Sequence, residues 1–558
     1  MNRKLHFGSA LIAFLAVSMS VWAQGDVLWK KNFGGAGPDI YYSVTEVLDG
    51  IIAVGTSYIT SFGTGDWADI TGKGVNDAVI VKYDNDGNVI WKKNFGGKEN
   101  DYYYSVTTVP DGIIAVGYSD PYSFGQDDWA GVMGKGGSDA IIVKYDNNGN
   151  VVWKKNFGGS WHDCYYSVTA VSDGVVAVGY SWSQSFGSGD WAGVTGKGII
   201  DAIIVKHDNN GNVVWKKNFG GNRSNEYNSI TAVSDGVVAV GYSSSSSFGS
   251  GDWTGITGKG YDDAIIVKYN HNGNVVWKKN FGGSDDDCYN SVTAVSDGVV
   301  VVGQSESFGN GDWEGIIGKG NDDAIIVKYD NDGNVVWKKN FGGSKNDRYF
   351  SITAVPDGVV AVGGSVFGSF GNGDWEGVEG KGYDDAIIVK YDNDGNVIWK
   401  KNFGGSDTER FRSVMVVSDG IVTVGDSYLG SFGNGDWIGV TGKGTFDAII
   451  VKYSTNPTSI TDNPQDATLR IYPNPTNGQL HITGFDGTDA IHGVCTDAQI
   501  FDVYGRKVLV VAVETHGRAS LQQQQHPTTT LDISHLPDGV YFLRIGGKTT
   551  KIVKINNN

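Results

Sequence analysis

Three patterns in this sequence contain residue types that do chemistry, and the first is an Asp- and Asn-rich turn. It occurs as DNDGN at 84–88, 330–334 and 392–396, as DNNGN at 146–150 and 208–212, and as NHNGN at 270–274. A calcium loop of the EF-hand type needs a glutamate six residues after its glycine, and this glutamate is absent. Since Asn and Gly are also the residues of tight hairpin turns, the pattern predicts a hairpin and no metal site.

The second pattern is a glycine-rich segment, S-F-G-x-G-D-W-x-G-x-x-G-K-G, which spans residues 185–198 in one copy. Its last six residues contain the residue types of a phosphate-binding loop. However, the spacing G-x-x-x-x-G-K-[ST] is not met, and no helix pattern follows. We therefore expect a compact loop that is anchored by Trp191 and by its equivalents in the other copies.

The third pattern is a set of carboxylates. Glu226 with Asp285, Asp286 or Asp287 would provide the two acidic groups that glycoside hydrolysis requires. The sequence contains no HExxH or CxxC motif, and the only histidines of the repeats are at 162, 207 and 271. Because no set of nucleophile, base and acid is recognisable, the sequence predicts no catalytic residue and no cofactor. A polysaccharide-degrading enzyme and a passive surface scaffold remain the alternatives to a binding module.

Aromatic and basic residues also differ from copy to copy at positions where the rest of the repeated unit is constant. The predicted ligand-binding set consists of Tyr102, Tyr104, Tyr166, Trp182, Arg348, Arg410 and Arg412. Aromatic rings stack on sugar faces, and guanidinium groups pair with acidic groups. We therefore predict that an exposed rim binds an extended ligand, either an acidic surface glycan or a protein. Drift among duplicated repeats is the alternative explanation.

These residues lie in a unit that the chain repeats. The segment DAIIVKYDNDGNVVWKKNFGG stands at 385–405 and recurs with small changes at 77–97, 139–159, 201–221, 263–283 and 323–343. The Trp of WKK recurs at a spacing of 62 residues five times and of 60 residues once. A fixed period of this size indicates one supersecondary unit per repeat.

Each unit contains four predicted strands. DAIIVKY and NVVWKKNF are rich in Val, Ile, Tyr, Trp and Phe and are joined by the hairpin turn, and YYSVTAV and VVAVGYS flank the turn SDG. The runs AIIV and VVAV lack polar alternation, which indicates strands that are buried on both faces. We expect the repeated Trp, Phe and Tyr residues, among them Trp215, to form the core between blades. Four strands per repeat are the content of one propeller blade.

The two ends of the repeat region indicate how the blades close into a ring. The back half of a unit, DVLWKKNFGG, stands at 26–35, and the front half of another, DAIIVKY, stands at 447–453. Pairing these halves uses every strand, whereas an open array would leave two exposed edges. We predict an all-β chain with a seven-bladed β-propeller over residues 25–453, closed by one strand from the start and three from the end.

The pattern WKKNFGG…DG-V-AVG…DAIIVKYD-GN resembles the seven-bladed propeller repeats of many exported bacterial proteins. The resemblance covers residues 25–453. It implies the fold but no particular activity, because propellers serve as binding modules, enzymes and scaffolds alike.

The chain begins with the features of a secretory signal peptide. Arg3 and Lys4 precede an apolar stretch at 10–17, and the residues before Gln24 suit cleavage. The stretch is too short to span a bilayer, so we predict a signal peptide at 1–23, passage through the Sec translocon and a mature chain without a transmembrane helix. The net charge of −18 argues against a nucleic-acid partner.

Cysteines are few for an exported chain. Cys164 and Cys288 occupy equivalent positions two blades apart, and Cys495 lies outside the repeats. A disulfide needs Cα atoms within roughly 7 Å, so we predict none.

After Tyr453 the composition changes. Residues 454–468 are polar with two prolines and are predicted to form a linker, and the strand pattern of 469–558 suits a small β-sandwich. The motifs Y-P-N-P-x-x-G, D-x-x-G-R and L-P-x-G-x-Y, with a Lys-rich last strand, resemble the type A C-terminal sorting domain of the type IX secretion system of Bacteroidota. The motif residues are Tyr472, Pro473, Asn474, Pro475, Gly478, Asp502, Gly505, Arg506, Leu536, Pro537, Gly539 and Tyr541. The resemblance implies the type IX machinery as a partner and a secreted or cell-surface location.

Overall fold

The computed structural model describes residues 25–454, 470–472, 479–483, 496–502, 507–513, 529–537, 539–545 and 548–554. The predicted signal peptide, all but the first residue of the predicted linker, and Cys495 lie outside the described residues. So do six residues of the predicted sorting motifs, namely Pro473, Asn474, Pro475, Gly478, Gly505 and Arg506.

Residues 27–453 form seven four-stranded antiparallel sheets, and six of these are built from consecutive strands. Blade 1 contains β2 (Asp39–Val47), β3 (Gly50–Tyr58), β4 (Asn76–Tyr83) and β5 (Val89–Phe95); blade 2 contains β6 (Asp101–Val109), β7 (Gly112–Ser119), β8 (Asp139–Tyr145) and β9 (Val151–Phe157); blade 3 contains β10 (Asp163–Val171), β11 (Gly174–Trp182), β12 (Ile200–Asp208) and β13 (Val213–Phe219). Blade 4 contains β14 (Asn225–Val233), β15 (Gly236–Ser244), β16 (Asp262–Asn270) and β17 (Val275–Phe281); blade 5 contains β18 (Asp287–Val295), β19 (Gly298–Ser305), β20 (Asp323–Asp330) and β21 (Val335–Phe341); blade 6 contains β22 (Asp347–Val355), β23 (Gly358–Val366), β24 (Asp384–Tyr391) and β25 (Val397–Phe403).

The seventh blade joins the two ends of the repeat region. It contains β26 (Glu409–Val417), β27 (Gly420–Tyr428), β28 (Phe446–Tyr453) and β1 (Val27–Phe33), in the order β1-β28-β27-β26. β1 runs antiparallel to β28, from Val27 opposite Tyr453 to Phe33 opposite Ala448. The predicted seven-bladed ring, closed by one strand from the start and three from the end, is therefore confirmed.

Short 3-10 helices shape the long loop between the second and third strands of each blade. They span Ile59–Ser61, Gly65–Trp67, Pro121–Ser123, Asp127–Trp129, Ser183–Ser185, Gly189–Trp191, Ser245–Ser247, Gly251–Trp253, Gly311–Trp313, Gly373–Trp375, Leu429–Ser431 and Gly435–Trp437. This loop corresponds to the glycine-rich segment of the sequence.

The hydrophobic core lies between blades. Strand β8 is buried at all of its residues, so both faces of this strand are covered, as the unbroken apolar runs predict. Each of the seven hydrophobic clusters of the ring draws residues from two neighbouring blades. One of them packs Val422 and Val424 of blade 7 against Ile51 and Val79 of blade 1. Closure of the ring therefore also completes the core.

The tryptophan of the long loop is the anchor of that loop. Trp191 is fully buried, and its indole N–H donates to the Asp163 carboxylate at 3.0 Å. The same carboxylate accepts the Ser185 hydroxyl at 2.8 Å and the Gly159 amide at 2.9 Å. These bonds tie the loop to the start of the inner strand and confirm the anchoring role that the sequence predicted for Trp191.

The tryptophan of WKK lies at the edge of the core between blades. Trp215 packs against the hydrophobic cluster between blades 3 and 4, as expected, but it and its equivalents are only partly buried. Its indole N–H donates to the His271 carbonyl at 3.1 Å, across to the turn of the next blade. The reason is that WKK lies on the outermost strand, where one face of each blade approaches solvent.

Ion pairs between loops form a second closed ring around the propeller. The lysine of each G-K-G segment reaches the aspartate of the G-D-W or D-D-W segment in the next blade. The pairs are Lys73–Asp128, Lys135–Asp190, Lys197–Asp252, Lys259–Asp312, Lys319–Asp374, Lys381–Asp436 and Lys443–Asp66. Each lysine of this segment thus links two blades, which accounts for the segment without a phosphate ligand.

The Asp- and Asn-rich turn closes a hairpin, as predicted. The Asp84 carboxylate accepts the backbone amides of Asp86 and Asn88, at 2.9 and 2.8 Å. Gly87 occupies the left-handed region with φ of 78°. In the copy that lacks the carboxylate, the amide oxygen of Asn270 accepts the two equivalent amides at 3.0 Å. Because an amide replaces the carboxylate without changing the turn, the turn needs no cation.

His207 is a structural residue of the core. In most blades a tyrosine of the inner strand bonds a tyrosine of the third strand, as Tyr41 does with Tyr83 at 2.7 Å between hydroxyl oxygens. His207 takes the second place in blade 3, with its Nε2 3.1 Å from the Tyr165 hydroxyl. Burial lowers the pKa of His207 to about 4, so the imidazole is neutral at physiological pH.

The described strands of the C-terminal region form two further sheets. One contains β29 (Arg470–Tyr472), β30 (Gln479–Thr483) and β33 (Thr529–Asp532), and the other contains β31 (Thr496–Asp502), β32 (Lys507–Val513), β34 (Gly539–Ile545) and β35 (Lys548–Lys554). The Tyr541 hydroxyl donates to the Pro537 carbonyl at 2.8 Å, so the L-P-x-G-x-Y motif fixes its own turn.

Removal of β1 tests the closure. We expect deletion of residues 25–33 to lower Tm by roughly 10 °C or more, because β28 becomes an unpaired edge and the cluster between blades 7 and 1 loses its cover. Alanine at the exposed residues Val27 and Leu28 keeps the backbone pairing and should leave Tm unchanged. A deletion variant that melts like the parent would contradict the closure.

The two tryptophans of one blade give a second test. We expect Trp191→Ala to cost about 3–5 kcal/mol of unfolding free energy, because it opens a cavity in a fully buried site. Trp215→Ala should cost less than about 2 kcal/mol, because the residue is already partly exposed. Urea denaturation of both variants gives the ranking, and the reverse order would show that the wrong tryptophan has been placed in the core.

Candidate functional site

A bulge in every inner strand directs one side chain toward the centre of the ring. In β2, Tyr41 lies opposite Gly55 and Ser43 lies opposite Val54, so Tyr42 has no partner residue in β3. Bulges of this kind re-aim a side chain away from the regular alternation of the strand. A Cβ atom on Gly55 would lie 1.8 Å from the Ile40 carbonyl oxygen, which explains the glycine of the recurring A-V-G segment.

The bulge residues of the blades converge on one open cavity. In blade order these residues are Tyr42, Tyr104, Tyr166, Asn228, Asn290, Phe350 and Arg412. All of them except Asn290, together with Glu226, line a cavity of about 320 Å³. They belong to the first half of each inner strand, at the end of the propeller that carries the long loops. The cavity is therefore the candidate ligand site.

One wall of the cavity is an arc of tyrosines from blades 1 to 3. The ring centroids of Tyr42 and Tyr104 are 5.1 Å apart, and those of Tyr104 and Tyr166 are 5.5 Å apart. Behind this arc, Tyr102 stacks on Tyr118 with 5.0 Å between centroids and on Tyr104 with 5.9 Å. Burial raises the pKa of Tyr102 to about 12, so its hydroxyl stays neutral. The wall presents aromatic surfaces edged by neutral hydroxyl groups.

Carboxylates cluster at blades 4 and 5, and one of them, Glu226, lines the cavity. Glu226 accepts the Tyr242 hydroxyl at 2.8 Å, and burial raises its pKa, with a further increase from the negative charge of Asp262. Burial also raises the pKa of Asp262, and the negative charge of Asp286 raises it further. The pKa of Glu306 is raised by burial and by the negative charges of its neighbours Asp322 and Asp286. These carboxylates are close enough to disfavour one another's charge.

Each arginine of the predicted set is paired with an aspartate. Arg348 Nε donates to Asp322 Oδ2 at 2.8 Å, and Arg410 Nη2 donates to Asp384 Oδ2 at 2.9 Å. Arg412 forms an ion pair with Asp426. The guanidinium carbon of Arg412 also lies 5.2 Å from the centre of the Tyr42 ring. The basic charge that the sequence indicated over blades 6 and 7 is therefore neutralised within the protein.

The structure brings only part of the predicted ligand-binding set together. Tyr104, Tyr166 and Arg412 line the cavity, whereas Tyr102 lies in the layer behind. Trp182 lies apart from the lining and contacts the ring of His162, with 6.1 Å between centroids. Tyr104 and Arg412 do not lie on an exposed rim as expected, because Tyr104 is partly buried and the side chain of Arg412 is only 26% exposed. The side chains of Arg348 and Arg410 are more exposed, at 40% and 41%.

A third variable position was missed from the sequence. Two variable positions lie in the inner strand, namely the bulge residue and the residue two positions before it. The third lies in the second strand, directly across from the latter, as Thr56 lies across from Ile40. Its occupants are Thr56, Tyr118, Tyr180, Tyr242, Gln304, Gly364 and Asp426. The signal was present, since the residue after A-V-G, V-V-G or T-V-G differs between copies while the glycine before it and the serine after it are constant.

Neither a membrane helix nor a metal cluster is found among the described residues. Within those ranges, no helix has the length and apolar character needed to cross a bilayer. In the same part of the chain, no group of three or more His, Cys, Asp or Glu side chains is arranged to hold a metal ion. Cys164 and Cys288 are free thiols.

Comparison with known families identifies the C-terminal region. Residues 470–555 match the family model of the secretion system C-terminal sorting domain. This match confirms the sorting domain that the motifs predicted, and it assigns the chain to type IX export, with a secreted or cell-surface location. The chain is thus an exported β-propeller repeat protein with a C-terminal sorting domain.

Part of the chain is distantly similar to a curated protein. Regulatory protein FlaEY of Caulobacter vibrioides is 24% identical over 269 residues, which cover 45% of this chain and 26% of that protein. The chain thus spans about a quarter of the length of this relative.

Three solved structures show weak likeness. They are the WD40 β-propeller domain of Doa1 (12% identity, 78% of this chain and 97% of that chain, TM-score 0.40), a putative 6-phosphogluconolactonase from Bacteroides uniformis (9%, 67% and 89%, 0.35) and the endosialidase of phage phi92 (12%, 94% and 89%, 0.33). TM-scores this low carry no argument about function. The propeller fold rests on the order of the sheets in this chain.

The pairing of Arg412 can be tested by mutation. We expect Arg412→Ala to cost about 3–5 kcal/mol of unfolding free energy, because Asp426 is only 2% exposed and would be left as an unpaired buried charge. The double variant Arg412→Ala/Asp426→Ala should be more stable than the single variant. Arg410→Ala is the matched control and should cost under about 1 kcal/mol, because Arg410 is 41% exposed. Equal costs for both single variants, measured by urea denaturation, would contradict the assignment.

Proposed function

We propose that this chain is a non-catalytic binding module of the cell surface or the secreted fraction, and that it takes a glycan in the central cavity. The observation that carries the proposal is the convergence of the bulge residues. The bulge residues of the three consecutive blades 1 to 3 are tyrosines, and six of the seven bulge residues line the same cavity. A scaffold whose strands are repeated, while the residues that line one cavity vary, is well suited to binding a ligand in that cavity.

The dimensions and chemistry of the cavity suit a sugar. Its volume of about 320 Å³ lies at the lower end of the usual range for ligand pockets, about 300–1,000 Å³. Tyrosine provides a flat apolar surface together with a hydroxyl group, which matches the alternation of apolar faces and polar edges on a sugar ring. A protein partner would instead contact the long loops around the cavity.

We further propose that residues 1–23 direct the chain to the Sec translocon before the type IX machinery exports it. The basic residues, the short apolar stretch and the cleavage site of the sequence support this route. It places the cavity outside the cell, where polysaccharides are available as ligands.

Tyr104 is the residue to test, because it lies in the middle of the tyrosine arc. The full chain should first be screened on an array of surface and host glycans. For the glycan found, Tyr104→Ala should lose about 1–2 kcal/mol of binding free energy, since the stacking surface is removed. Tyr104→Phe should retain binding, because the ring remains.

Tyr383→Ala provides the matched control, because Tyr383 is 68% exposed on a loop and does not line the cavity. Its affinity should equal that of the parent. No binding to any glycan on the array, or an equal loss in the Tyr104 and Tyr383 alanine variants, would contradict a glycan site in the cavity.

A further inference from the structure

The charges around the cavity are not balanced. Arg348, Arg410 and Arg412 each have an aspartate partner, so the three arginines of the predicted ligand-binding set are satisfied internally. Within residues 25–454, Glu226 forms no ion pair, and its hydrogen-bond partner is the neutral hydroxyl of Tyr242. The cavity therefore has a carboxylate without a cation, and that carboxylate is one of its lining residues.

The surroundings of Glu226 favour an incoming positive charge. Asp262 disfavours the charged form of Glu226, and Asp286 does the same to Asp262. An anionic ligand would add to this repulsion, whereas a cation would relieve it. The net charge of −18 for the whole chain acts in the same direction at long range.

Asn228, next to Glu226 in the cavity wall, also suits a donor. Its amide nitrogen donates to Cys288 Sγ at 3.3 Å and to the Tyr289 carbonyl at 3.0 Å. Both N–H groups are thus used, and the group that remains for a ligand is the carbonyl oxygen, which can only accept. Two neighbouring acceptors match an ammonium group, which has three donors.

The tyrosine arc completes a cation site. Faces of aromatic rings attract cations, and the protein already uses this interaction where Arg412 lies 5.2 Å from the Tyr42 ring centre. Tyr104 and Tyr166 continue the same arc toward Glu226. A ligand cation beside these rings would therefore meet aromatic faces on one side and a carboxylate on the other.

We infer that the ligand of the central cavity is an amino sugar whose free amine is protonated, held between Tyr104, Tyr166 and the carboxylate of Glu226. This inference rests on the proposed glycan-binding function and narrows it. It also replaces the acidic glycan that the arginines indicated in the sequence. The sugar ring supplies the stacking surface and the ammonium group supplies the charge.

A pair of oligosaccharides that differ in the amine alone tests the inference. We would titrate the full chain by calorimetry with the tetramer of glucosamine and with the tetramer of N-acetylglucosamine, at a slightly acidic pH that keeps the amine protonated. The glucosamine tetramer should bind at least about tenfold more tightly, because a hydrogen bond to a charged group is worth more than one to a neutral group.

Glu226→Gln removes the charge and keeps a hydrogen-bond acceptor for Tyr242, so the variant should melt like the parent. It should lose about tenfold in affinity for the glucosamine tetramer and should bind the N-acetylated tetramer unchanged. Glu314→Gln is the matched control, because it removes one charge at an exposed loop residue outside the cavity lining. General attraction between a polycation and an acidic protein would affect both variants equally.

Equal affinity of the parent chain for the two tetramers would overturn the inference even without the variants. So would an equal loss in Glu226→Gln and Glu314→Gln. If neither tetramer binds but another glycan of the array does, the inference fails and the proposed function stands. If no glycan binds at all, both fail.

Discussion

The backbone pairing of β1 with β28 is the interaction on which the rest of the propeller depends. A blade of this ring buries its faces only against its two neighbours, so every blade needs a neighbour on each side. Blade 7 supplies that contact for blade 6 and blade 1, and it is complete only when the first strand of the chain joins its last three. The ion pair between Lys443 and Asp66 closes the ring of ion pairs between loops at the same junction.

Within this scaffold, the constant residues and the variable residues have separate roles. The glycine of A-V-G permits the bulge, the buried acid and tryptophan fix the long loop, and the lysine of G-K-G joins neighbouring loops. Where the constant set does change, the replacement keeps the tryptophan contact in blade 4 but not in blade 7, where the indole N–H of Trp437 has no hydrogen-bond partner among the described residues. Asn225 takes the place of the buried aspartate in blade 4, and Glu409 takes it in blade 7, where burial raises the pKa of the carboxyl group to about 7.

The variable residues are concentrated where the fold tolerates change. A bulged residue has no cross-strand partner, so the backbone pairing of the blade does not depend on its side chain. Tyrosine, asparagine, phenylalanine and arginine can therefore replace one another at this position without altering the blade. Seven different inner strands around one axis turn this tolerance into a cavity whose lining is free to vary.

Much of this fold was predictable from the sequence. The 62-residue period, the strand composition and the split end units predict the blades and their closure, because each depends only on local pattern and on counting strands. The role of Trp191 was also predictable, since a large aromatic residue in a glycine-rich loop has few other ways to be buried. The partial exposure of Trp215 was not predictable, because composition does not reveal that WKK lies on the outermost strand.

The candidate site was predictable only in part. Copy-to-copy variation identified Tyr104, Tyr166 and Arg412, all of which line the cavity. The pairing of Arg412 with Asp426 was not predictable, because the two are fourteen residues apart and meet only through the bulged register of β26 and β27. Without that register the arginines indicated a free basic surface, and hence an acidic ligand.

Hydrogen exchange of β1 tests the closed ring most directly. A strand near the start of a chain frays rapidly unless it is paired, so its amides report the closure without any mutation. In the full chain, the amides of Val27–Phe33 should exchange as slowly as those of the equivalent outer strands Val89–Phe95 and Val213–Phe219, to within about tenfold. Exchange of Val27–Phe33 at the rate of an unstructured peptide, with the other outer strands protected, would contradict the ring.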